Sequence, residues 1–178
     1  MEILEKRKTR TVVNLSKTFV QSGEIYISKK SEVIWTVLGS CITVIFYIKS
    51  KGITLFSHAQ LPSENFMNDS CIGSCTKPCY MIAEKENKFK YVTCSINYML
   101  EEISKLNIEK KELKIYLLGG ASSFNITMGN SKNVAERNVE VAQKMLRKLN
   151  IPFVEDTSGR ISRKVSFNTE TGELAVNI

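Results

Sequence analysis

The side chains in this chain best suited to chemistry are a cysteine and its single histidine. Cys41 ends the run Leu38-Gly39-Ser40-Cys41, and His58 follows it by seventeen positions. A thiol whose proton passes to an imidazole attacks carbonyl carbon readily. A glycine beside it allows a tight turn that aims backbone N–H groups at the oxyanion such an attack creates. The pair points to cysteine-dependent hydrolysis of an acyl or amide group, with Cys41 as nucleophile and His58 as base, and this chemistry needs no metal or organic cofactor. Taken singly, a cysteine beside strands is most often a small core residue and a lone histidine a hydrogen-bonded structural one. Their relative placement therefore decides the matter.

That placement is set by two short apolar runs, Ile42 to Ile48 and Ile53 to Phe56, rich in β-branched and aromatic residues. If they form a hairpin turning at Lys49 to Gly52, the numbers of paired residues add up to about 99 to 101, and 41 and 58 add up to 99. Cys41 and His58 then stand opposite or nearly opposite at the open end of the hairpin, on one face, with Cβ atoms roughly 5 Å apart when directly paired.

The same reading gives strands at Ile25 to Ser28 and Val33 to Leu38, a helix over Tyr91 to Leu106, and a strand over Leu113 to Leu118 ending in Gly119-Gly120. A second helix is predicted from Val134 to Leu149, stopped by Pro152. Strands near Phe153 to Glu155, Arg163 to Asn168 and Glu173 to Ile178 complete the chain. Hairpins outnumber crossovers, which predicts an α+β fold: mixed sheets or a sandwich with two main helices packed on it. Residues 1–19 are expected as a basic extension, flexible or strand-like, and 20–178 as one domain. The loose composition of Ser63 to Lys90 predicts a long loop.

Of the 178 residues, 43% are hydrophobic and 24% charged, and no apolar run approaches the roughly 20 residues of a membrane span. A charged start, Met1 to Arg10, gives no sign of a secretory signal, so a reducing cytoplasm is the expected compartment and the five cysteines are not expected to form structural disulfides. The net charge of +7 favours an acidic partner. Nucleic acid is not expected, because the basic residues are scattered and no stacking platform or binding motif accompanies them. Cys71, Cys75 and Cys79, with Cys94 as fourth thiol, would be the ligands of a zinc or iron–sulfur site, but their spacing lacks the paired knuckles of such sites and no metal is expected. Gly119-Gly120 lacks the longer glycine spacing and lysine of a phosphate loop and is read as a wall of the site.

Several segments together resemble the CheD family, the chemoreceptor glutamine deamidases of bacterial chemotaxis. They are Leu38-Gly39-Ser40-Cys41, His58-Ala59-Gln60-Leu61-Pro62 at the family's interval, Gly119-Gly120-Ala121-Ser122-Ser123-Phe124, Arg137-Asn138, and Asp156-Thr157-Ser158-Gly159 through Arg163 to Glu170-Thr171-Gly172. They occur in family order from about Gly23 to the C-terminus. The resemblance implies a Cys41 nucleophile and a His58 base acting on receptor glutamines to give glutamate and ammonia through a thioester. Backbone N–H groups around Gly39 and Ser40, with the Gly119-Gly120 loop, would hold the oxyanion. It also implies acidic receptor helices as substrate and a CheC-type phosphatase as a further partner.

The family's third catalytic residue is a threonine six positions before the cysteine. Here that position is Trp35 and the threonine is Thr36. One residue reverses the face of a strand side chain, so either a one-residue deletion or bulge between Thr36 and Cys41 restores the aim of Thr36, or Trp35 replaces it; Thr36 is the favoured third candidate. Two other readings are a regulatory module that binds the phosphatase without catalysis, and a related cysteine deamidase acting on a different protein. Ammonia release from a receptor fragment separates the first from the enzyme, and mapping of the modified glutamines decides the second.

Overall fold

Alternating apolar residues sort the chain into two stacked sheets. The computed structural model describes residues 15–63, 89–122 and 132–178. Within them the strands are β1 (Ser16–Phe19), β2 (Glu24–Ser28), β3 (Glu32–Leu38), β4 (Ile42–Ile48), β5 (Ile53–His58), β6 (Leu113–Gly119), β7 (Phe153–Asp156), β8 (Arg163–Asn168) and β9 (Leu174–Asn177). One sheet has the order β1-β3-β8-β9 and the other β2-β5-β4-β6-β7. The pairs β1–β3 and β6–β7 are parallel and the rest antiparallel, so both sheets are mixed.

Two helices, α1 (Val92–Ser104) and α2 (Val134–Arg147), cover the five-stranded sheet. Val92, Ile96 and Met99 of α1 and Ala142, Met145 and Leu146 of α2 pack with the even-numbered residues of β4 in one cluster. The odd-numbered Ile45 and Tyr47 face the other way and meet Ile34, Leu38, Val165 and Phe167 between the sheets. This explains why β4 reads as one unbroken apolar run: it is buried on both faces, as a central strand in a three-layer arrangement must be. Burying side chains of the size of Leu146 or Met99 contributes roughly 1.5–3 kcal/mol each.

The α+β class, both helices and their packing on a sheet agree with the sequence. Helix α2 begins where predicted because Asn133 caps it: the Asn133 Oδ1 accepts from the Glu136 N–H, and the Glu136 carboxylate accepts from the Asn133 N–H. Both helices end two residues earlier than the periodicity suggested, and after α2 the chain turns at Asn150, whose φ is 52°. The last four residues of the expected extension form β1, where Thr18 and Phe19 give the backbone strand propensity. The β4–β5 hairpin turns through Lys49–Lys51 into Gly52, in the left-handed region. Most of the expected 63–90 loop, with Cys71, Cys75 and Cys79, lies outside the described residues.

A buried carboxylate joins the sheets at one end. Glu32 accepts from Thr18 Oγ1, Tyr26 OH and Ser28 Oγ, which belong to β1 and β2. Although burial opposes its charge, the hydroxyl donors from Ser28, Thr18 and Tyr26 and the nearby Lys30 hold its carboxyl below the usual range.

Candidate active site

The site forms at one end of the space between the sheets. In β3 the even-numbered residues face inward: Ile34, Thr36 and Leu38 are buried, while Val37 is exposed. Trp35 lies on the outer face, its ring 4.6 Å from that of Phe19 and 4.4 Å from the Lys164 ammonium. Thr36, not Trp35, therefore points toward His58. No bulge within the strand is required. The chain leaves β3 at Leu38 and enters β4 at Ile42, and the link Gly39–Cys41 between them is not bound to the pleat of either strand.

His58 ends β5 and is 4% exposed. Its Nδ1 lies 2.7 Å from Thr36 Oγ1 and 3.4 Å from the Val20 carbonyl. Thr36 gives its own hydroxyl proton to that carbonyl, 2.8 Å away. A carbonyl only accepts and the threonine proton is committed to it, so Nδ1 must carry hydrogen and donate. The lone pair is thereby left on Nε2, which is buried and has no hydrogen-bond partner among the described residues. This is the tautomer a general base needs.

The hairpin register brings the cysteine to the same end of the sheet. Ile45 faces Phe56, Ile48 faces Ile53 and Ile42 faces Ala59, so Cys41, just before Ile42, and His58, just before Ala59, stand at the same open end of the hairpin. Between these positions the Ser57 hydroxyl replaces ladder bonds, accepting from the Val44 N–H and donating to the Val44 carbonyl, each at 3.1 Å.

Cys41 is half-buried against the inter-sheet cluster, its sulfur 4.0 Å from Ser22 Oγ. Burial pushes its thiol up, opposed by the Ser22 contact and by its own backbone N–H. Burial likewise pushes the His58 imidazole down, opposed by the Val20 carbonyl and the charge of Glu24. Both directions favour the uncharged thiol and the uncharged imidazole over a preformed ion pair.

The wall behind the cysteine is made of glycines for a steric reason. Gly119 (φ +107°) and Gly120 (φ +68°) adopt conformations that L side chains rarely take, and a Cβ on Gly119 would collide with the Cys41 carbonyl, one on Gly120 with Val139. The Gly120 and Ala121 N–H groups donate to the carbonyls of Cys41 and Gly39 at 2.8 and 2.9 Å. They brace the turn from behind and are not free to meet an oxyanion. Among the described residues neither the Ser40 N–H nor that of Cys41 meets a backbone acceptor.

Several contributors carried no role in the sequence reading: the Val20 carbonyl, Ser22, Ser57 and Asn138. Asn138 had a signal of its own, a polar residue on the apolar stripe of α2 with Ala135, Ala142 and Met145. Cys94 is buried in α1 and, among the described residues, no group of three His, Cys, Asp or Glu side chains is placed to hold a metal. No helix among the described residues is long and apolar enough to cross a membrane.

Comparison with known proteins adds to this geometry. The family model described as CheD chemotactic sensory transduction matches residues 79–178. The chemoreceptor glutamine deamidase CheD of Halalkalibacterium halodurans is 30% identical over 141 residues, covering 78% of each chain. The protein of the same name from Thermotoga maritima is 30% identical over 162 residues, covering 90% of each.

Proposed function

Since the chain belongs to the CheD family, we propose that it is a chemoreceptor glutamine deamidase, converting receptor glutamines to glutamate with release of ammonia. The observation that carries the reading is the hydrogen-bond chain from His58 Nδ1 through Thr36 Oγ1 to the Val20 carbonyl, which leaves the Nε2 lone pair free to take a proton. Thr36 orients the base as a carboxylate does in other triads, without adding charge.

In this mechanism the carboxamide of a glutamine enters between Cys41 and the front of the Gly39–Cys41 turn. Nε2 of His58 takes the thiol proton as sulfur bonds to the carboxamide carbon. The oxygen of the tetrahedral adduct is met by the N–H groups of Ser40 and Cys41. The imidazolium then protonates the departing nitrogen, ammonia leaves, and a thioester links Cys41 to the substrate. Water gives a proton to Nε2, attacks the thioester carbon and releases glutamate with the thiol restored. Neither Cys41 nor His58 need be charged beforehand, in keeping with the directions in which burial moves both groups.

The net charge of +7 suits acidic receptor helices. A cytoplasmic site of action, a single catalytic domain over residues 20–178 and a CheC-type phosphatase as a second partner complete the proposal. The test is incubation with a receptor cytoplasmic fragment, reading ammonia and the conversion of glutamine to glutamate by mass spectrometry. Cys41→Ala and His58→Ala should abolish both, and activity surviving Cys41→Ala would sink the proposal.

A further inference from the structure

Asn138 lies on α2 behind the catalytic turn and is fully buried. Its Nδ2 donates to two backbone carbonyls, those of Ser40 at 3.0 Å and Gln60 at 2.9 Å, while its buried Oδ1 has no partner among the described residues. An apolar side chain of similar size in its place would leave both carbonyls without this donor. Its two donors must be sought a use in what they hold.

They hold the peptide that carries the nucleophile. The carbonyls of three successive residues are fixed from behind: Gly39 by the Ala121 N–H, Ser40 by Asn138 and Cys41 by the Gly120 N–H. In a trans peptide the C=O and the following N–H point in opposite directions. Anchoring these carbonyls therefore turns the N–H groups of Ser40, Cys41 and Ile42 the other way. The Ile42 N–H is taken by the Ala59 carbonyl in the hairpin. Among the described residues the Ser40 N–H has no acceptor, and that of Cys41 lies only toward its own sulfur. Two adjacent donors are thus aimed outward beside the thiol, as an oxyanion site requires. Two of the three anchors are backbone groups, and Asn138 is the one side chain. Its second bond, to Gln60, ties the same turn to the chain that follows His58.

We infer that Asn138 is a positioning residue for the oxyanion site, holding the Ser40–Cys41 peptide so that its N–H faces the tetrahedral adduct. The inference rests on the deamidase reading, because it is the oxyanion of carboxamide attack that the N–H would meet.

The experiment compares wild type with Asn138→Asp, which keeps the size but sets an acceptor against both carbonyls, and with Asn138→Ser, which keeps one donor. Deamidation of a receptor fragment is measured beside alkylation of Cys41 by iodoacetamide, a displacement at saturated carbon that forms no oxyanion. The Asp variant should lose between about 10- and 100-fold in kcat, less than the roughly 10²–10³-fold effect of deleting an oxyanion donor outright. Its kcat/KM should fall in step, its alkylation rate should be unchanged, and the Ser variant should fall between it and wild type. An unchanged kcat overturns the inference. So does an alkylation rate that falls with kcat, or a pair of variants that only unfold, since each assigns Asn138 to the fold alone. A wild-type protein that alkylates normally yet releases no ammonia fails the deamidase reading itself, and the positioning role falls with it.

Discussion

The Thr36 hydroxyl accepts from Nδ1 of His58 at 2.7 Å while donating to the Val20 carbonyl at 2.8 Å, so one side chain fixes both the tautomer and the tilt of the imidazole. The consequence is testable by near-isosteric replacement. Thr36→Val keeps the shape and removes the acceptor, leaving Nδ1 only the longer contact to Val20. Such loss of orientation should lower kcat by about 10²-fold, within the range general-base assistance supplies. Thr36→Ser should retain most activity. Trp35→Phe, altered on the outer face, should leave kcat near wild type; steady-state deamidation rates of the three variants decide between the two positions.

The pH dependence has a definite sign on each side of neutrality. His58 acts as a base only when neutral, and burial holds its pKa below the ordinary 6.5, so the acid limb of kcat/KM should lie below 6.5. Stability should follow the same group. Unfolded, the imidazole binds its proton near 6.5 and folded only at lower pH; in that window the unfolded chain holds more protons, and stability falls as pH falls. Cys41 works in reverse. Its folded pKa is raised above 9.0, so above that value the unfolded chain loses the proton first and stability falls as pH rises. Thermal melts across this range should show both declines, the acid one reduced in His58→Gln and the alkaline one reduced in Cys41→Ala.

Much of this site was legible because it depends on local periodicity. The hairpin between Ile42 and His58 has a short turn that confines its register to a few values, and the true one lies at the edge of that range. The identity of the third residue was legible only as a choice between Thr36 and Trp35. Counting positions back from Cys41 treats the chain as one continuous pleat, whereas the Gly39–Cys41 link breaks it, and only the pairing of β3 with β8 and its burial against the second sheet decide that Thr36 faces inward. The role of Asn138 was hidden for a related reason. Its partners, the carbonyls of Ser40 and Gln60, are 98 and 78 residues away in sequence, and backbone acceptors leave no trace in residue type. The two-layer core was readable as apolar runs; which sheet each strand joined was not, since alternation says that a strand has two faces and not what lies against them.

The glycine wall offers the sharpest test of how the turn is braced. At Gly119 a Cβ would collide with the Cys41 carbonyl and the backbone φ is +107°, whereas Gly52, with φ +62°, has open space around it. Both substitutions by alanine carry a conformational penalty of about 1–3 kcal/mol for a side chain in a disfavoured region. Only Gly119→Ala adds a collision with backbone, which cannot rotate aside as a side chain can. It must displace either β6 or the Cys41 peptide, and that peptide's carbonyl is also held by Gly120. Gly119→Ala should therefore lose more stability than Gly52→Ala in urea unfolding and lose most of its kcat, while Gly52→Ala should keep its kcat. Equal stability losses with activity retained in both would mean that the wall does not hold the nucleophile in place.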